Sequence, residues 1–165
     1  PDFIRQAFTM SFTYGIMEPN ARIIEKSWIQ MLIQLKLDII HCGCGRTAFS
    51  STFEEQGDHT LVCRSCGSVI YTMGVKDYEL HLNPGARLYR CITEKNNDDF
   101  QTVTGTVIEN RLKKGLFGIK NQSGKTWKAL FPDQSFRDVE HGKGVPIWKG
   151  LQIDFGDHVK AEILL

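Results

Sequence analysis

The spacing of the cysteines constrains this sequence more than any other feature. Two of them stand close together at Cys42 and Cys44, and two more at Cys63 and Cys66, after the eighteen residues 45–62. Four thiolates at about 2.3 Å can enclose a metal ion in a closed tetrahedral site. A glycine follows each pair and permits the tight turn that points backbone N–H groups at sulfur. The pattern therefore predicts a structural metal site.

The separation of the two pairs matches the zinc-ribbon template, and we expect one structural Zn²⁺ ligated by these four cysteines. We assign residues 41–76 to this four-cysteine region, in which 46–53 and 68–73 alternate as the strands of hairpins do. Because so short a segment has almost no apolar core, folding and metal binding would be a single event. Four cysteine ligands leave no open position for water, so a catalytic zinc is not expected.

The first cysteine pair departs from the ribbon template and leaves a second ligand set open. It reads Cys-x-Cys instead of Cys-x-x-Cys, and His41 stands three residues before Cys44, at the usual spacing of metal ligands. His41 could therefore replace Cys42. The other interpretation of the whole motif is four buried, metal-free thiols. Cys91 stands alone and is expected to be an apolar core residue, with a nucleophile paired to a histidine as the alternative.

Composition narrows the class of protein. Hydrophobic residues make up 41% and charged residues 24% of the chain, as in folded globular proteins, and the net charge of +1 gives no overall bias towards nucleic acid. No apolar run approaches the roughly 20 residues of a membrane span, so no membrane partner is expected. The five cysteines, an odd number, and the lack of a secretory signal point to a reducing, cytoplasmic compartment. The chain opens at Pro1 without a methionine, and we expect an excised part of a longer protein.

Residues 1–40 are predicted to form a helical pair. The first helix has one apolar face, comprising Phe3, Ala7, Phe8 and Phe12. Gly15 and Pro19 end this helix. The second helix has an apolar stripe with helical spacing, comprising Ile24, Trp28, Met31, Leu32, Leu35 and Ile39. We expect this stripe to be core rather than a groove for a partner, although two helices alone bury little and need the rest of the chain or a missing neighbour.

Residues 78–165 are predicted to be all-β. Segments of alternating apolar and polar residues recur, such as 103–107, 127–131 and 159–163, and turn signals rich in glycine, proline and asparagine separate them. Short strands at this spacing are typical of a sandwich or barrel. The predicted fold class is therefore α+β, with a helical pair, a zinc ribbon and a small all-β sandwich in that order.

A group of lysines in the β region offers a possible nucleic-acid surface. Its members are Lys113, Lys114, Lys120, Lys125 and Lys128, with Trp127 among them. A basic patch with an aromatic residue can bind nucleic acid, and binding of that kind weakens steeply with salt. The alternative is a solvated hairpin face with Trp127 in the core, which the near-neutral net charge favours.

The sequence lacks the motifs that a free-standing enzyme of the common classes would carry. It has no Gly-rich phosphate loop, no G-x-S-x-G nucleophile elbow and no H-E-x-x-H zinc-binding helix. We therefore expect that this chain is not an enzyme by itself.

The N-terminal segment resembles the end of a protein-kinase C-lobe. The resemblance rests on PDFIRQAF at residues 1–8, EPNAR at 18–22, and then Trp28 and Leu32. Kinases close with a helix, a Pro-x-x-Arg turn and a helix bearing Trp and Leu. The resemblance implies that Arg22 pairs with the glutamate of an Ala-Pro-Glu motif outside this chain. The kinase catalytic motifs also lie outside it, so this would be the non-catalytic tail of a serine/threonine kinase.

The cysteine motif that follows sharpens the match. The combination resembles bacterial kinases of the tellurite-resistance-associated phosphorylation triad, in which a kinase, a PP2C-type phosphatase and a von Willebrand factor A protein are encoded together. The resemblance implies that this tail binds the von Willebrand factor A protein, whose metal ion can accept a carboxylate from a partner. The exposed acids that could supply it are Asp133, Asp138, Glu140 and Asp157.

The β region resembles a degenerate forkhead-associated (FHA) sandwich. The resemblance rests on LNPGARLYR at residues 82–90, GIKNQS at 118–123 and KGLQIDFG at 149–156. It implies that Arg90 matches the arginine that reads phosphate, and that the turn bearing Asn121 and Ser123 contacts a peptide. Tyr89 stands where the family has glycine, and no Ser-Arg-x-His segment is present. A phosphothreonine-peptide reader is therefore an alternative to a docking sandwich.

Overall fold

The computed structural model describes residues 1–57 and 59–164. The first part of the chain is helical and most of the remainder forms antiparallel strands, which confirms the α+β class. The helices of the first forty residues are α1 (Asp2–Thr9), α2 (Gly15–Met17) and α3 (Glu25–Leu37), with a π-helical turn at Met10–Tyr14 and a 3₁₀ turn at Pro19–Ala21.

Helix α3 contributes to the large core of the protein. Ile33 and Leu37, four residues apart, are buried in that core, and Ile29 packs against it one turn earlier. The predicted buried stripe was wrong in register, because its members Ile24 and Leu32 are 66% and 53% exposed. Successive side chains on a helix point in directions that differ by about 100°. The apolar residues of α3 therefore surround more of the helix than the strands can cover.

Short strands around a small core make up the four-cysteine region. They are β1 (Ile39–His41), β2 (Thr47–Phe49), β3 (Glu54–Gln56), β4 (Thr60–Val62) and β5 (Val69–Val75), with a 3₁₀ turn at Ser50–Thr52. Strand β1 pairs with β2, and β4 pairs with both β3 and β5, all antiparallel. The core consists of Ile40, Cys42, Phe53, Leu61, Cys63 and Ile70. So small a cluster supplies little folding free energy by itself.

Strand β5 belongs to two parts of the protein at once. Its first half pairs with β4, whereas its second half pairs with strands of the C-terminal region. Side chains alternate between the two faces of a strand. Accordingly Ile70 is buried in the cysteine core, and Met73 and Val75, on the opposite face, are buried in the large core. The predicted boundary at residue 76 thus falls at the end of a strand that both regions share.

The C-terminal region forms two antiparallel sheets. Its elements are β6 (Tyr78–His81), β7 (Arg87–Tyr89), α4 (Arg90–Thr93), β8 (Val103–Glu109), β9 (Phe117–Asn121), β10 (Trp127–Leu130), β11 (Phe136–Val139), β12 (Gly144–Pro146), β13 (Gln152–Gly156) and β14 (Val159–Ile163). One sheet has the order β11-β10-β13-β14-β5 and continues through β4 to β3, with β6 also paired to β5, and the other has the order β12-β9-β8-β7. The all-β prediction missed the single helical turn α4, whose buried residues are Cys91, Ile92 and Thr93.

The two sheets enclose one core around Trp127. The Trp127 side chain is 1% exposed and meets Phe155 edge-on, with ring centroids 5.0 Å apart, so the expectation that Trp127 is core is confirmed. Its ring reaches across to Gly105 on β8, where a Cβ atom would lie only 2.8 Å from Trp127 Cη2. The glycine is therefore needed for the close approach of the two sheets.

Candidate metal centre

Two backbone turns hold the four candidate ligands. The first joins β1 to β2, and the Gly45 N–H donates to the Cys42 carbonyl at 2.9 Å. The second joins β4 to β5, and the Gly67 N–H donates to the Cys63 carbonyl at 2.8 Å. Both glycines have positive φ, 90° at Gly45 and 71° at Gly67. Residues with a side chain rarely adopt this conformation, which explains the glycine after each cysteine pair.

The four sulfurs lie as close together as a tetrahedral zinc requires. One ligand atom from each of Cys42, Cys44, Cys63 and Cys66 lies within 4.8 Å of all the others. The Sγ atoms of Cys42 and Cys66 are 3.5 Å apart, and those of Cys44 and Cys63 are 3.9 Å apart. Sulfurs about 2.3 Å from a tetrahedral zinc would be roughly 3.8 Å from one another. The cluster is therefore compatible with a zinc site.

The second turn favours thiolates more strongly than the first. Burial raises the pKa of Cys42 to about 12. The Ser68 hydroxyl, 3.1 Å from the Cys66 sulfur, and the Ser68 N–H lower the pKa of Cys66 to about 6. Burial opposes ionisation of Cys63, but the N–H groups of Ser65 and Cys66 lower its pKa. Ser68 was missed by the sequence analysis, although a hydroxyl two residues after the last cysteine was a readable signal.

The site has a buried side and an open side. Cys42 and Cys63 are buried in the small core, whereas Cys44 and Cys66 are exposed. This excludes the interpretation of four buried thiols. Among the described residues, His41 does not belong to the cluster of possible ligands, and its Nδ1 is 2.9 Å from the Thr47 hydroxyl across the β1–β2 pair. The arrangement therefore favours the four-cysteine ligand set over one in which His41 replaces Cys42.

Cys91 is separate from this cluster. It is 3% exposed in the large core, as expected of an apolar core residue, and burial raises the pKa of its thiol. A raised pKa disfavours the thiolate that a nucleophile needs. Cys91 is therefore a matched control for the four clustered cysteines.

Arg90 and Ser123, predicted to contact a phosphopeptide, approach the same end of the sheets. The Gln122 N–H donates to the Thr104 carbonyl at 2.8 Å, next to Ser123. The Thr104 hydroxyl in turn accepts a hydrogen bond of 2.9 Å from Thr93, in the helical turn that Arg90 begins. The turn and the arginine are thus joined through one residue of β8.

The Arg90 side chain already has acidic neighbours. Its Nε lies 3.5 Å from a Glu94 oxygen, and its Nη1 lies 3.6 Å from an Asp99 oxygen. The Thr102 hydroxyl and N–H hold the pKa of Asp99 at about 2, so that carboxylate is ionised at neutral pH. The Nε makes no hydrogen bond within residues 1–57 and 59–164, since the contact to Glu94 is an ion pair without hydrogen-bond geometry. An incoming phosphate would compete with these two carboxylates for the Arg90 guanidinium.

Asn121 organises its turn from inside the protein. It is fully buried, and its amide nitrogen donates to the carbonyls of Lys125 (2.8 Å) and Val139 (2.7 Å). Its Oδ1 accepts hydrogen bonds from the N–H and the hydroxyl of Ser123. A direct contact from Asn121 to a peptide would require these bonds to open, so Asn121 shapes the turn that presents Ser123.

The five lysines of the possible nucleic-acid surface do not form one patch. Lys120 follows the buried Ile119 on β9, and Lys128 follows the buried Trp127 on β10, so both point outward. Because β9 and β10 belong to opposed sheets, these lysines face opposite directions. Lys125 forms an ion pair with Asp157. Lys113 and Lys114 precede β9, on the loop that joins it to β8.

The four acids predicted to reach a partner's metal differ in how they are bonded. Asp133 accepts hydrogen bonds from the N–H and hydroxyl of Ser135, and Asp157 pairs with Lys125. Asp138 and Glu140 are exposed, and their carboxylates form no hydrogen bond or ion pair with the rest of the described chain. These two are the acids most available to an external ligand.

We predict that Cys63→Ser abolishes metal binding and unfolds the four-cysteine region. A hydroxyl is a poor zinc ligand, and structural zinc contributes on the order of 10 kcal/mol to the folding of small zinc modules. Elemental analysis of the purified variant should give close to zero zinc per chain, and its thermal melt should begin at lower temperature. Cys91→Ser, also buried, should retain the wild-type zinc content. Full zinc content in Cys63→Ser would remove this cysteine from the ligand set.

No family model, curated protein or solved structure matches this chain. In the part of the chain that is described, no helix combines the length and the apolar character that crossing a membrane demands. The chemistry of the four cysteines and the exposed surfaces of the fold are therefore the basis for a functional assignment.

Proposed function

We propose that this chain is the non-catalytic docking and regulatory tail of a bacterial serine/threonine kinase of the tellurite-resistance-associated triad. In this proposal the four cysteines form a zinc ribbon around one structural Zn²⁺. The C-terminal sandwich, FHA-like in origin, binds the von Willebrand factor A protein of the same system, and the PP2C-type phosphatase is a further partner in the cytoplasm. The proposal follows from the order of the three regions and from the surfaces that they expose.

The observation that carries the proposal is the apolar surface of the N-terminal helices. Large apolar side chains that are at least half exposed crowd this part of the chain, namely Phe8, Phe12, Tyr14, Ile16, Met17, Ile24 and Leu32. Contiguous exposed apolar surface in a soluble protein marks an interface with another body. A preceding kinase C-lobe would cover it, as the resemblance of residues 1–40 implies.

Arg22 is also consistent with a missing neighbour. Its Nε donates to the Gly15 carbonyl at 2.6 Å, and no carboxylate in the described chain pairs with it. In the proposed parent kinase this guanidinium would pair with the glutamate of the Ala-Pro-Glu motif. An arginine fork is suited to that task because it can hold a carboxylate with two N–H groups.

A zinc ion in this position would be structural. With four sulfur ligands no coordination position is left for substrate or water. The zinc would instead hold the two turns together and fix the start of β5, the strand that continues into the sandwich. Metal binding would thereby set the geometry between the kinase-proximal helices and the docking region.

We further propose that the von Willebrand factor A partner binds the outer face of β11. This strand is at the edge of its sheet, so its outer backbone groups can pair with another chain. Phe136 is 77% exposed, and Asp138, two residues later, faces the same side. A large apolar side chain beside an unpaired carboxylate suits a partner that presents a metal ion within an apolar rim.

Reading of phosphothreonine is the second candidate function. It is favoured by the link between Arg90 and the Ser123 turn through Thr104, and by the Arg90 Nε, which makes no hydrogen bond among the described residues. The ion pairs of Arg90 with Glu94 and Asp99 weigh against it. The docking function therefore stands first.

The apolar helices should be dispensable in this chain alone and essential beside a kinase domain. Phe12→Ser and Ile16→Ser should each change the unfolding free energy of the isolated chain by less than about 0.5 kcal/mol, as exposed substitutions do. In the protein that carries a kinase domain before residue 1, the same changes should lower the melting temperature of that domain. Ile33→Ser, in the core, should lower the free energy of unfolding by about 2–5 kcal/mol in both proteins. The proposed interface would be contradicted if Phe12→Ser changed the stability of the isolated chain and of the kinase-bearing protein equally.

Binding of the von Willebrand factor A protein should depend on Asp138 and on a divalent metal. In calorimetric titrations with Mg²⁺, Asp138→Asn should weaken binding at least about 100-fold, as loss of a buried charged contact costs roughly 2–5 kcal/mol. EDTA should weaken binding to a similar extent. Phe136→Ser should weaken the binding of the Asp138→Asn variant further. Asp77→Asn, at the exposed turn before β6, is the matched control. A carboxylate-to-metal contact would be excluded if binding survives EDTA and also survives substitution of all four candidate acids.

A further inference from the structure

We propose that a cleft between α3, β1, β6 and β7 binds a phosphate monoester. The cleft has a volume of about 330 Å³ and is formed by all three regions of the chain. Its volume falls within the roughly 300–1,000 Å³ of small-molecule sites, and its walls mix apolar side chains with a few polar groups, as such sites do. It is separate from the cysteine cluster and from the docking surface on β11.

The permanently charged side chains that line the cleft, Lys36 and Arg87, are both cationic. Lys36, His41, His81 and Arg87 line it, and no carboxylate does so in the described chain. The Arg87 guanidinium is exposed and makes no hydrogen bond or ion pair within the described residues. An unpaired arginine on the wall of a cleft without acids is a ready donor for an anion.

Lys36, which lines the same cleft, is held in place by two contacts. Its Nζ lies 4.0 Å from the centre of the Tyr89 ring and donates to the Phe100 carbonyl at 3.2 Å. An ammonium group has three donors, so two remain for a ligand. The cation is thus oriented before a ligand arrives, which reduces the entropic cost of binding.

The floor of the cleft contains a buried ionisable pair. His81 is 6% exposed, with Nδ1 3.2 Å from the Thr72 hydroxyl and Nε2 3.9 Å from Asp38 Oδ1. Asp38 is also buried and accepts a hydrogen bond from the Ser50 hydroxyl. Asp38 does not line the cleft itself, so Lys36 and Arg87 give the lining an excess of two cationic side chains over acidic ones.

This excess selects the class of ligand. A phosphate monoester carries about −1.5 to −2 charges at neutral pH, whereas a carboxylate carries one. The guanidinium of Arg87 can hold two phosphate oxygens at once, and Lys36 can reach a third. The apolar wall provided by Leu37, Leu80 and Tyr89 would contact the organic part of the ester. The same chemistry can come from a phosphorylated side chain of a protein or from a small phosphorylated metabolite.

The test is calorimetric titration of the zinc-loaded chain with inorganic phosphate at constant ionic strength, with chloride as the reference salt. Saturable binding is expected, and Arg87→Gln and Lys36→Gln should each weaken it at least about tenfold, since charge-assisted hydrogen bonds contribute roughly 1.5–3 kcal/mol. Arg137→Gln, on strand β11 outside the cleft, should bind phosphate as the wild type does. Melting curves without phosphate show whether each variant is folded, and Arg87→Lys should retain part of the affinity.

Two further ligands distinguish a phosphorylated protein from a phosphorylated metabolite as the source of the phosphate monoester. A peptide containing phosphoserine is compared with its unphosphorylated form, and ribose 5-phosphate is titrated in parallel. Tighter binding of the phosphopeptide than of phosphate identifies a protein as the source, and tighter binding of ribose 5-phosphate identifies a metabolite. The proposal is overturned if none of the three ligands binds saturably, if folded Arg87→Gln binds as well as the wild type, or if Arg90→Gln removes binding instead.

Discussion

The close approach of four sulfurs is the interaction on which the rest of the structure depends. Ligand atoms of four cysteines within 4.8 Å of one another are stable as thiolates only when a cation balances their charge. In the described chain, the core beside them has six buried residues, of which Cys42 and Cys63 are two, and these are too few to fold the region unaided. A metal would therefore supply the folding free energy that the apolar side chains cannot, and would make the region a rigid spacer.

Strand β5 transmits this order to the rest of the protein. Ile70 packs in the cysteine core, and Met73 and Val75 pack on the other face in the sandwich core. Helix α3 joins the same large core through Ile33 and Leu37. Helix α3 and the strands of the sandwich are thus connected through one core, as the proposed relay from a partner to a kinase would require.

The sequence predicted what depends on local spacing and failed where distant segments meet. The cysteine spacing identified the four cysteines that lie together, and alternation identified most strands and the buried Trp127. The stripe on α3 failed because the buried face of an apolar helix is decided by the strands that it contacts. The FHA resemblance gave Asn121 as part of a peptide-contacting turn. Its burial could not be foreseen, because its bond to the Val139 carbonyl joins positions that are apart in the sequence. The cleft between α3, β1, β6 and β7 could likewise not be predicted, because residues from three regions of the sequence line it.

Zinc content of the purified chain tests the central claim most directly. The account predicts one zinc per wild-type chain, lost in Cys42→Ser and retained in His41→Ala, because His41 bonds Thr47 and Cys42 belongs to the cluster. Retention of zinc in Cys42→Ser together with its loss in His41→Ala would contradict the four-cysteine ligand set. A wild-type chain that is folded and free of zinc would contradict the zinc ribbon itself, and with it the basis for the proposed kinase tail.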